Sequence, residues 1–455
     1  PTRKILAFAV PLLLGNIFQQ MYAFTDATVV GRLIGVDALA AVGSAGTVLF
    51  LVIGFSWGSS AGLTIPVSRA FGAGNLPQMR RYVAAGLLAS TVIGVILTAV
   101  GVLFSHNLLV ALRTPPEIID GATRYLVVTF IGASATVAFN YVSAALRAVG
   151  DAKTPLVFLI ASTLVNAGLV VLLVGWLGFG LGGAAAATIV AQGAAVVACV
   201  IVIIKKVPAL RITRADLRVT AREMGETLRP GLQMGLQTSM LAVGVLALQF
   251  AVNGLGATTV AAFTAAVRVE GLVMMPLLSF GIAQVTFTAQ NRGAQQWHRI
   301  RLGVFRLTLV AVGFAGLLGV TMWLLARPIA SLFVGVHAHE VLGLVQTYFA
   351  LMAAAYMVQG VKFVLRNTLQ GLGVSSIPSM AVTAETLLRV VAALLLVGPL
   401  GFTGAVLAAP LAWLAALVIV VPAWLVQRRK LITQERADTG LRHLARTGEA
   451  HQLAA

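Results

Sequence analysis

The chain has 455 residues, of which 59% are hydrophobic and only 10% are charged, whereas soluble domains carry about 25% charged residues. This composition excludes an ordinary soluble globular protein. The net charge of +18 does not indicate nucleic acid, because the basic residues lie at the ends of apolar segments rather than on one soluble face. The lone Cys199 excludes a disulfide framework, and the scattered histidines predict no metal site.

Apolar segments follow one another along almost the whole chain. A helix needs roughly 20 apolar residues to cross a bilayer, and twelve segments approach or exceed that length. The predicted spans are 5–31, 38–66, 83–105, 122–146, 155–176, 183–204, 230–254, 259–287, 302–326, 342–365, 378–398 and 404–426. They predict an all-α polytopic membrane protein.

Lys and Arg are concentrated in alternate connections between these spans, most densely in 205–229. The opposite set of connections holds only Arg32, Arg113, Arg124 and Arg327. Because positive charge favours the cytoplasmic side, we expect both termini in the cytoplasm. The protein is expected in the inner (plasma) membrane of the cell.

The two halves of the chain repeat each other. LIGVDALAAVG, from Leu33, matches GLGATTVAAFT, from Gly254, at an offset of 221. LRAVGDAKTP, from Leu146, matches LQGLGVSSIP, from Leu369, at an offset of 223. Each half holds an even number of spans, so both copies have the same topology, as in transporters built from parallel repeats.

The repeat predicts two pseudo-symmetric lobes of six transmembrane helices each. The N-lobe covers 1–204 and the C-lobe covers 230–426. The basic segment 205–229 is the predicted cytoplasmic linker, and 427–455 is a polar cytoplasmic tail, either helical on the membrane surface or disordered.

One acid lies inside the first span. Asp26 shares a helix face with Gln19 and Tyr22, and Pro11 interrupts the same segment. A carboxylate in a spanning helix costs about 2.5–3.5 kcal/mol on insertion scales, so such acids usually face a protein interior or a water-filled cavity. The alternative is an acid near the helix end that reaches the lipid headgroups.

The second half holds two intramembrane acids. Glu385 and Arg389 are four residues apart and can form a neutralised structural pair on one helix; the alternative is a contact with the substrate. Glu270 either pairs with Lys362 across helices or lines a cavity in the second lobe.

Several motifs resemble one transporter family. They are the pattern of Pro11, Tyr22, Asp26 and Gly31, ALAAVG from Ala38, GAGN from Gly72, its second copy at Gly293, and RVEGLVMMP from Arg268. Over about residues 1–430 the chain resembles the multidrug and toxic compound extrusion (MATE) family. The resemblance implies twelve helices in two lobes, a central cavity, and alternating access driven by H⁺ or Na⁺ without ATP or another cofactor.

The match is best to the DinF-like branch, and it implies a first-lobe cation-coupling site. The matching positions are Tyr22, Asp26, Asn140, Asn166 and Thr188. This chain has Val170 where the branch usually has an aspartate. The missing acid favours H⁺ as the coupling ion and leaves Na⁺ possible. Since burial disfavours the charged form of a carboxyl group, Asp26 is expected to bind and release the proton.

The expected function is therefore multidrug efflux: a secondary antiporter, acting as a monomer in the bilayer, that exports small organic compounds of cationic or amphiphilic character. Pro11 is the expected conformational switch. The candidate residues of the substrate cavity are Gln19, Gln192, Gln237, Glu270 and Met274. The alternative is a flippase for a lipid-linked saccharide precursor. An enzyme is not expected, because no HExxH, GxSxG or similar motif is present.

Overall fold

The computed structural model describes the backbone of residues 2–112, 114–334 and 338–447. Within these helices it leaves some side chains undescribed, at positions 2, 4, 21–28, 30–33, 36–37, 39–40, 44, 47, 272–273, 332–334 and 439–447. Every regular element in the described part of the chain is helical, which confirms the predicted all-α class.

Thirteen α-helices make up the described structure. They are α1 (Thr2–Leu33), α2 (Val36–Leu63), α3 (Ile65–Gly72), α4 (Leu76–Ala111), α5 (Pro116–Ile131), α6 (Ala133–Ala148), α7 (Lys153–Val170), α8 (Gly180–Lys206), α9 (Ala221–Asn253), α10 (Ala257–Gly293), α11 (Trp297–Val334), α12 (His339–Gly371) and α13 (Ser376–Thr447). A π-helical turn, Val171–Trp176, extends α7, and a 3₁₀ turn, Pro208–Leu210, follows α8.

Local sequence explains several boundaries. The Asn75 side chain accepts a hydrogen bond from the backbone N–H of Gln78 at 3.1 Å and so caps the start of α4. A bend of 48° separates α5 from α6. Gly401 has φ 55° and ψ −130°, which breaks α13 into two straight parts. Only glycine adopts such angles without strain, and the break lies between two predicted spans.

Nine of the described helices are long and apolar enough to cross a membrane, or ten if α5 and α6 form one bent span. α13 counts once in this total although its break at Gly401 separates two predicted spans. Each predicted span coincides with a helix or a broken helix. The chain is therefore a multi-pass membrane protein, while the count of twelve spans stays a prediction.

The chain divides into two compact units, each described by itself below. The N-terminal unit comprises 7–71 and 75–246, and the C-terminal unit comprises 247–455 together with 1–6 and 72–74. The division between the units falls inside α9. The lobe, linker and tail boundaries inferred from the repeat remain a prediction.

The core of the N-terminal unit includes a layer formed by α4, α6 and α8. Met79, Leu146 and Cys199 are fully buried there. The Tyr141 hydroxyl on α6 donates a hydrogen bond to the Val83 carbonyl on α4 at 2.7 Å. Apolar packing and one satisfied buried hydroxyl thus hold α6 against α4.

The predicted linker joins the start of α9 to the same unit. Glu226 on α9 accepts a hydrogen bond from the Tyr82 hydroxyl at 2.6 Å and forms an ion pair with Arg69 at 2.7 Å. Arg222 adds a second ion pair at 3.1 Å. This cluster connects α9 to α3 and α4 through charge-assisted hydrogen bonds.

In the C-terminal unit, small residues bring helices close together. A Cβ added at Gly319 of α11 would lie 2.5 Å from the Ala353 carbonyl of α12, so only glycine fits there. The tail continues α13 as a helix and contacts the start of α11. Trp297 Nε1 donates to Asp438 Oδ2 at 2.8 Å, and Arg301 pairs with Glu435.

Candidate functional site

The predicted cation-coupling residues lie on α1, α6, α7 and α8 of the N-terminal unit. Tyr22 and Asp26 belong to α1, but their side chains are outside the described residues. Asn166 on α7 is buried, and its Nδ2 donates a hydrogen bond to Thr188 Oγ1 on α8 at 3.1 Å. The structure therefore joins two of the five predicted residues directly, through the packing of α7 on α8.

Asn140 has a different partner. Its Nδ2 donates to Ser56 Oγ on α2 at 3.1 Å. Gln192 Oε1 accepts a hydrogen bond from the Thr136 hydroxyl at 2.5 Å. These bonds connect α6 to α2 and to α8, which is how polar side chains commonly join helices in a membrane. Cation coupling by Asn140 and a cavity role for Gln192 stay predictions.

Val170 occupies the position where the DinF-like branch usually has an aspartate. Its side chain is packed among apolar side chains. It has 1% of its surface exposed and belongs to a buried cluster with Ala38, Ala184 and Ala187. Val29 on α1, one turn after Asp26, packs against the same cluster. The described members of this cluster around Val170 are therefore apolar.

The remaining N-terminal candidates are dispersed. α1 stays helical through Pro11, which is half-buried, and Gln19 lies on an exposed part of the same helix. Gln237 lies on α9 with only 4% of its surface exposed. The switch role of Pro11 and the cavity roles of Gln19 and Gln237 stay predictions.

In the C-terminal unit, Glu270 on α10 is half-buried and contacts Tyr348 on α12. Its Oε2 accepts a hydrogen bond from the Tyr348 hydroxyl at 2.6 Å. The Tyr348 ring packs edge-on against Phe263 and Phe349, with centroid distances of 6.0 and 5.3 Å. A half-buried carboxylate can attract an organic cation by its charge, while the three rings are themselves buried.

Met274 lies one helical turn beyond Glu270, on the same face of α10. Its sulfur lies 3.9 Å from Gln359 Nε2 on α12. Gln359 is 6% exposed, and its Oε1 has no hydrogen-bond partner among the described residues. Two predicted cavity residues, Glu270 and Met274, therefore share one surface between α10 and α12.

A buried ion network lies between α12 and α13. Lys362 Nζ contacts both carboxylate oxygens of Glu385, at 2.7 and 2.8 Å. Arg389 Nη2 contacts Glu385 Oε1 at 3.2 Å. The Glu385–Arg389 pair anticipated from their spacing is present. The alternative in which Lys362 pairs with Glu270 is wrong, because both oxygens of Glu385 hold Lys362 and Glu270 bonds to Tyr348 instead.

Sequence reasoning missed the Lys362–Glu385 contact, although a signal for it exists. α12 ends at Gly371 and α13 begins at Ser376. Lys362 lies nine residues before that end and Glu385 nine residues after that start. Two helices joined by a short turn run antiparallel, so charges equally far from the turn lie at the same depth and can pair.

The described residues include no group of three or more His, Cys, Asp or Glu side chains placed to hold a metal ion.

Comparison with known proteins matches both halves of the chain. The family model MatE matches residues 11–172 and again 234–395. The chain is 30% identical over 342 residues to "Probable multidrug resistance protein YoeA" of Bacillus subtilis (strain 168), covering 73% of each chain. It is 30% identical over 373 residues to "Probable multidrug resistance protein YpnP" of the same organism, covering 82% of each.

The fold is also similar to solved structures. One, described as an outward-facing conformation of a multidrug resistance MATE family transporter of the MOP superfamily, superposes with a TM-score of 0.88. The match covers 95% of this chain and 96% of the other at 22% sequence identity. At that identity the likeness shows the fold.

The long apolar helices and the buried polar groups between them define a membrane transporter rather than an enzyme. With the doubled family match, the chain belongs to the MATE family of multidrug efflux transporters. It is embedded in the membrane and acts on small molecules.

Proposed function

We propose that the chain is a secondary active antiporter that exports organic cations or cationic amphiphiles in exchange for H⁺ by alternating access. The observation that carries the substrate class is Glu270, a half-buried acid that bonds Tyr348 at 2.6 Å. Met274, one turn further along α10, adds a polarizable side chain that adapts to differently shaped ligands.

Asp26 is the proposed proton-binding group, since it is the only acid within the predicted spans of the first half. Its protonation would change the hydrogen bonds available to Tyr22 and to the Asn166–Thr188 pair. Pro11 would let α1 bend between the two states. The proton can drive export only because the two states bind it with different affinity.

The packing of Val170 supports H⁺ over Na⁺. Na⁺ requires several hard oxygen ligands, and this position supplies a methyl surface within an apolar cluster. We further propose that both termini lie in the cytoplasm, because the connections rich in Lys and Arg alternate along the chain. The transporter is proposed to work as a monomer in the inner membrane.

The test is efflux of a fluorescent cationic dye from proteoliposomes under a pH gradient or a Na⁺ gradient. The wild type is expected to respond to the pH gradient alone, and Asp26→Asn to lose that response. Asp120→Asn, at the start of α5 and outside the proposed site, is the matched control and should transport normally. Efflux by Asp26→Asn at the wild-type rate would refute the proton site.

Glu270→Gln tests the substrate contact separately. Removing the charge while keeping the shape should raise the KM for a cationic dye by about tenfold or more, because a hydrogen bond to a charged group contributes roughly 1.5–3 kcal/mol. A neutral amphiphile of similar size is the internal control, and its KM should stay unchanged. Equal effects on both compounds would contradict charge recognition by Glu270.

A flippase for a lipid-linked saccharide is the second candidate. The buried cations Lys362, Arg366 and Arg389 favour it, since a flippase must hold phosphates. Lys362 and Arg389 are, however, engaged with Glu385. Dithionite accessibility of fluorescent lipid-linked saccharides in the same proteoliposomes separates the two functions.

A further inference from the structure

The buried helices of the C-terminal unit carry more positive than negative charge. Lys362 is 1% exposed, Arg389 8% and Arg366 9%. The only acids in the predicted spans of this half are Glu270 and Glu385. Among the described residues, Glu385 is buried to the same degree, whereas Glu270 is half-buried and bonds Tyr348, so buried positive charge exceeds buried negative charge.

The excess charge resides on the guanidinium groups. Lys362 is fully engaged as an ion pair, with both oxygens of Glu385 within 2.8 Å. Arg389 makes a single bond to that carboxylate. Arg366 lies one helical turn after Lys362 on α12, yet it forms no ion pair within the described part of the chain. Arginine does not lose its proton in proteins, so deprotonation cannot remove this charge.

Several N–H and O–H groups around the network lack an acceptor. Nε of Arg366 and Nε of Arg389 are buried and have no hydrogen-bond partner among the described residues. The same is true of the Trp413 indole N–H and the Tyr356 hydroxyl. The Trp413 ring lies 5.5 Å from Lys362 Nζ and 6.4 Å from the Tyr356 ring. Buried donors of this kind are costly unless an acceptor satisfies them.

We propose that this network binds one small inorganic monovalent anion, such as chloride or bromide, in the C-terminal unit. One anion offsets part of the excess positive charge, and it accepts hydrogen bonds from donors that otherwise lack a partner. Because Arg366 and Arg389 are at least nine-tenths buried, a small monovalent anion fits this network better than a lipid headgroup or a bulky oxyanion. This site is separate from Asp26 and does not depend on the proposed proton coupling.

Bromide quenching of tryptophan fluorescence tests the proposal directly on the purified protein. Bromide replaces gluconate at constant ionic strength, and the quenching is compared between the wild type and Trp413→Phe. We expect a saturable component in the wild type that chloride suppresses and that Trp413→Phe lacks. Quenching that rises linearly and equally in both proteins would overturn the proposal.

The midpoint of thermal unfolding provides the second measurement. Chloride should raise the wild-type Tm in a saturable manner, because a ligand that binds only the folded state stabilises it. Arg389→Gln should raise the half-saturating chloride concentration by about tenfold or more, because it removes a charged donor to the anion. Arg428→Gln, an exposed arginine further along α13, is the matched control and should behave as the wild type.

Arg389→Lys guards against a variant that does not fold, because it keeps the charge and removes only the planar group of donors. It should fold and show weaker anion binding than the wild type. A wild-type Tm that does not change with chloride would overturn the proposed anion site. So would a chloride effect of the same size in Arg389→Gln, Arg389→Lys and Arg428→Gln.

Discussion

Replacing Glu385 with glutamine should destabilise the protein severely. The Lys362 and Glu385 side chains are 1% and 2% exposed, so neither charge reaches water in the wild type. The substitution removes two charge-assisted hydrogen bonds, at 2.7 and 2.8 Å, each worth about 1.5–3 kcal/mol. It also leaves a buried ammonium unpaired. Breaking a buried ion pair in this way costs about 3–5 kcal/mol, and we expect a loss of that size.

The assay is equilibrium unfolding in mixed micelles with an increasing fraction of a denaturing detergent. Lys362→Met in the Glu385→Gln background should recover much of the loss, because it removes the orphaned charge and returns the network to its wild-type net charge. The two substitutions should therefore show an interaction energy of about 2 kcal/mol or more in a double-mutant cycle.

Glu435→Gln is the matched control. It removes another carboxylate of α13 that pairs with an arginine, but the pair with Arg301 is partly exposed, at 23% and 29%. We expect about 1 kcal/mol or less there. A loss below about 1 kcal/mol for Glu385→Gln, or simple additivity with Lys362→Met, would refute the reasoning from burial.

Three smaller perturbations test other parts of the structure. Tyr348→Phe removes the donor to Glu270 and should cost about 1 kcal/mol of stability, measured by the same unfolding assay; a neutral result would mean that the bond contributes nothing net. Glu226→Gln weakens the ion pair with Arg69, which is partly exposed, and should cost about 1 kcal/mol, with a Tm difference that shrinks at high salt. Gly401→Ala places a side chain at the glycine-only angles that break α13 and should lower the free energy of unfolding by about 1–3 kcal/mol. Spin-label distances across the break would show whether α13 straightens instead, and an unchanged stability with an unchanged break would contradict the strain argument.

The sequence by itself determined the class of protein and the positions of its helices. A long apolar segment forms a helix in lipid, because only then does every backbone N–H and C=O find a hydrogen-bond partner within the segment itself. The break in α13 lies at Gly401, whose positive φ favours glycine. At the bend between α5 and α6, Gly132 has ordinary helical angles, and a Cβ there would clash with Ile189 Cγ1. The spacing of Glu385 and Arg389 was likewise enough to predict their contact, since residues four apart on a helix are neighbours.

Tertiary structure decided which polar groups meet across helices. The equal distance of Lys362 and Glu385 from the turn between α12 and α13 indicates that they lie at the same depth. Whether Lys362 meets Glu385 or Glu270 still depends on how α10, α12 and α13 are rotated about their axes and packed. The same holds for Asn166, which bonds Thr188, and for Asn140, which bonds Ser56 instead. Hydropathy is a property of a segment, whereas a hydrogen bond between helices requires that two particular faces lie at the same depth and point toward each other.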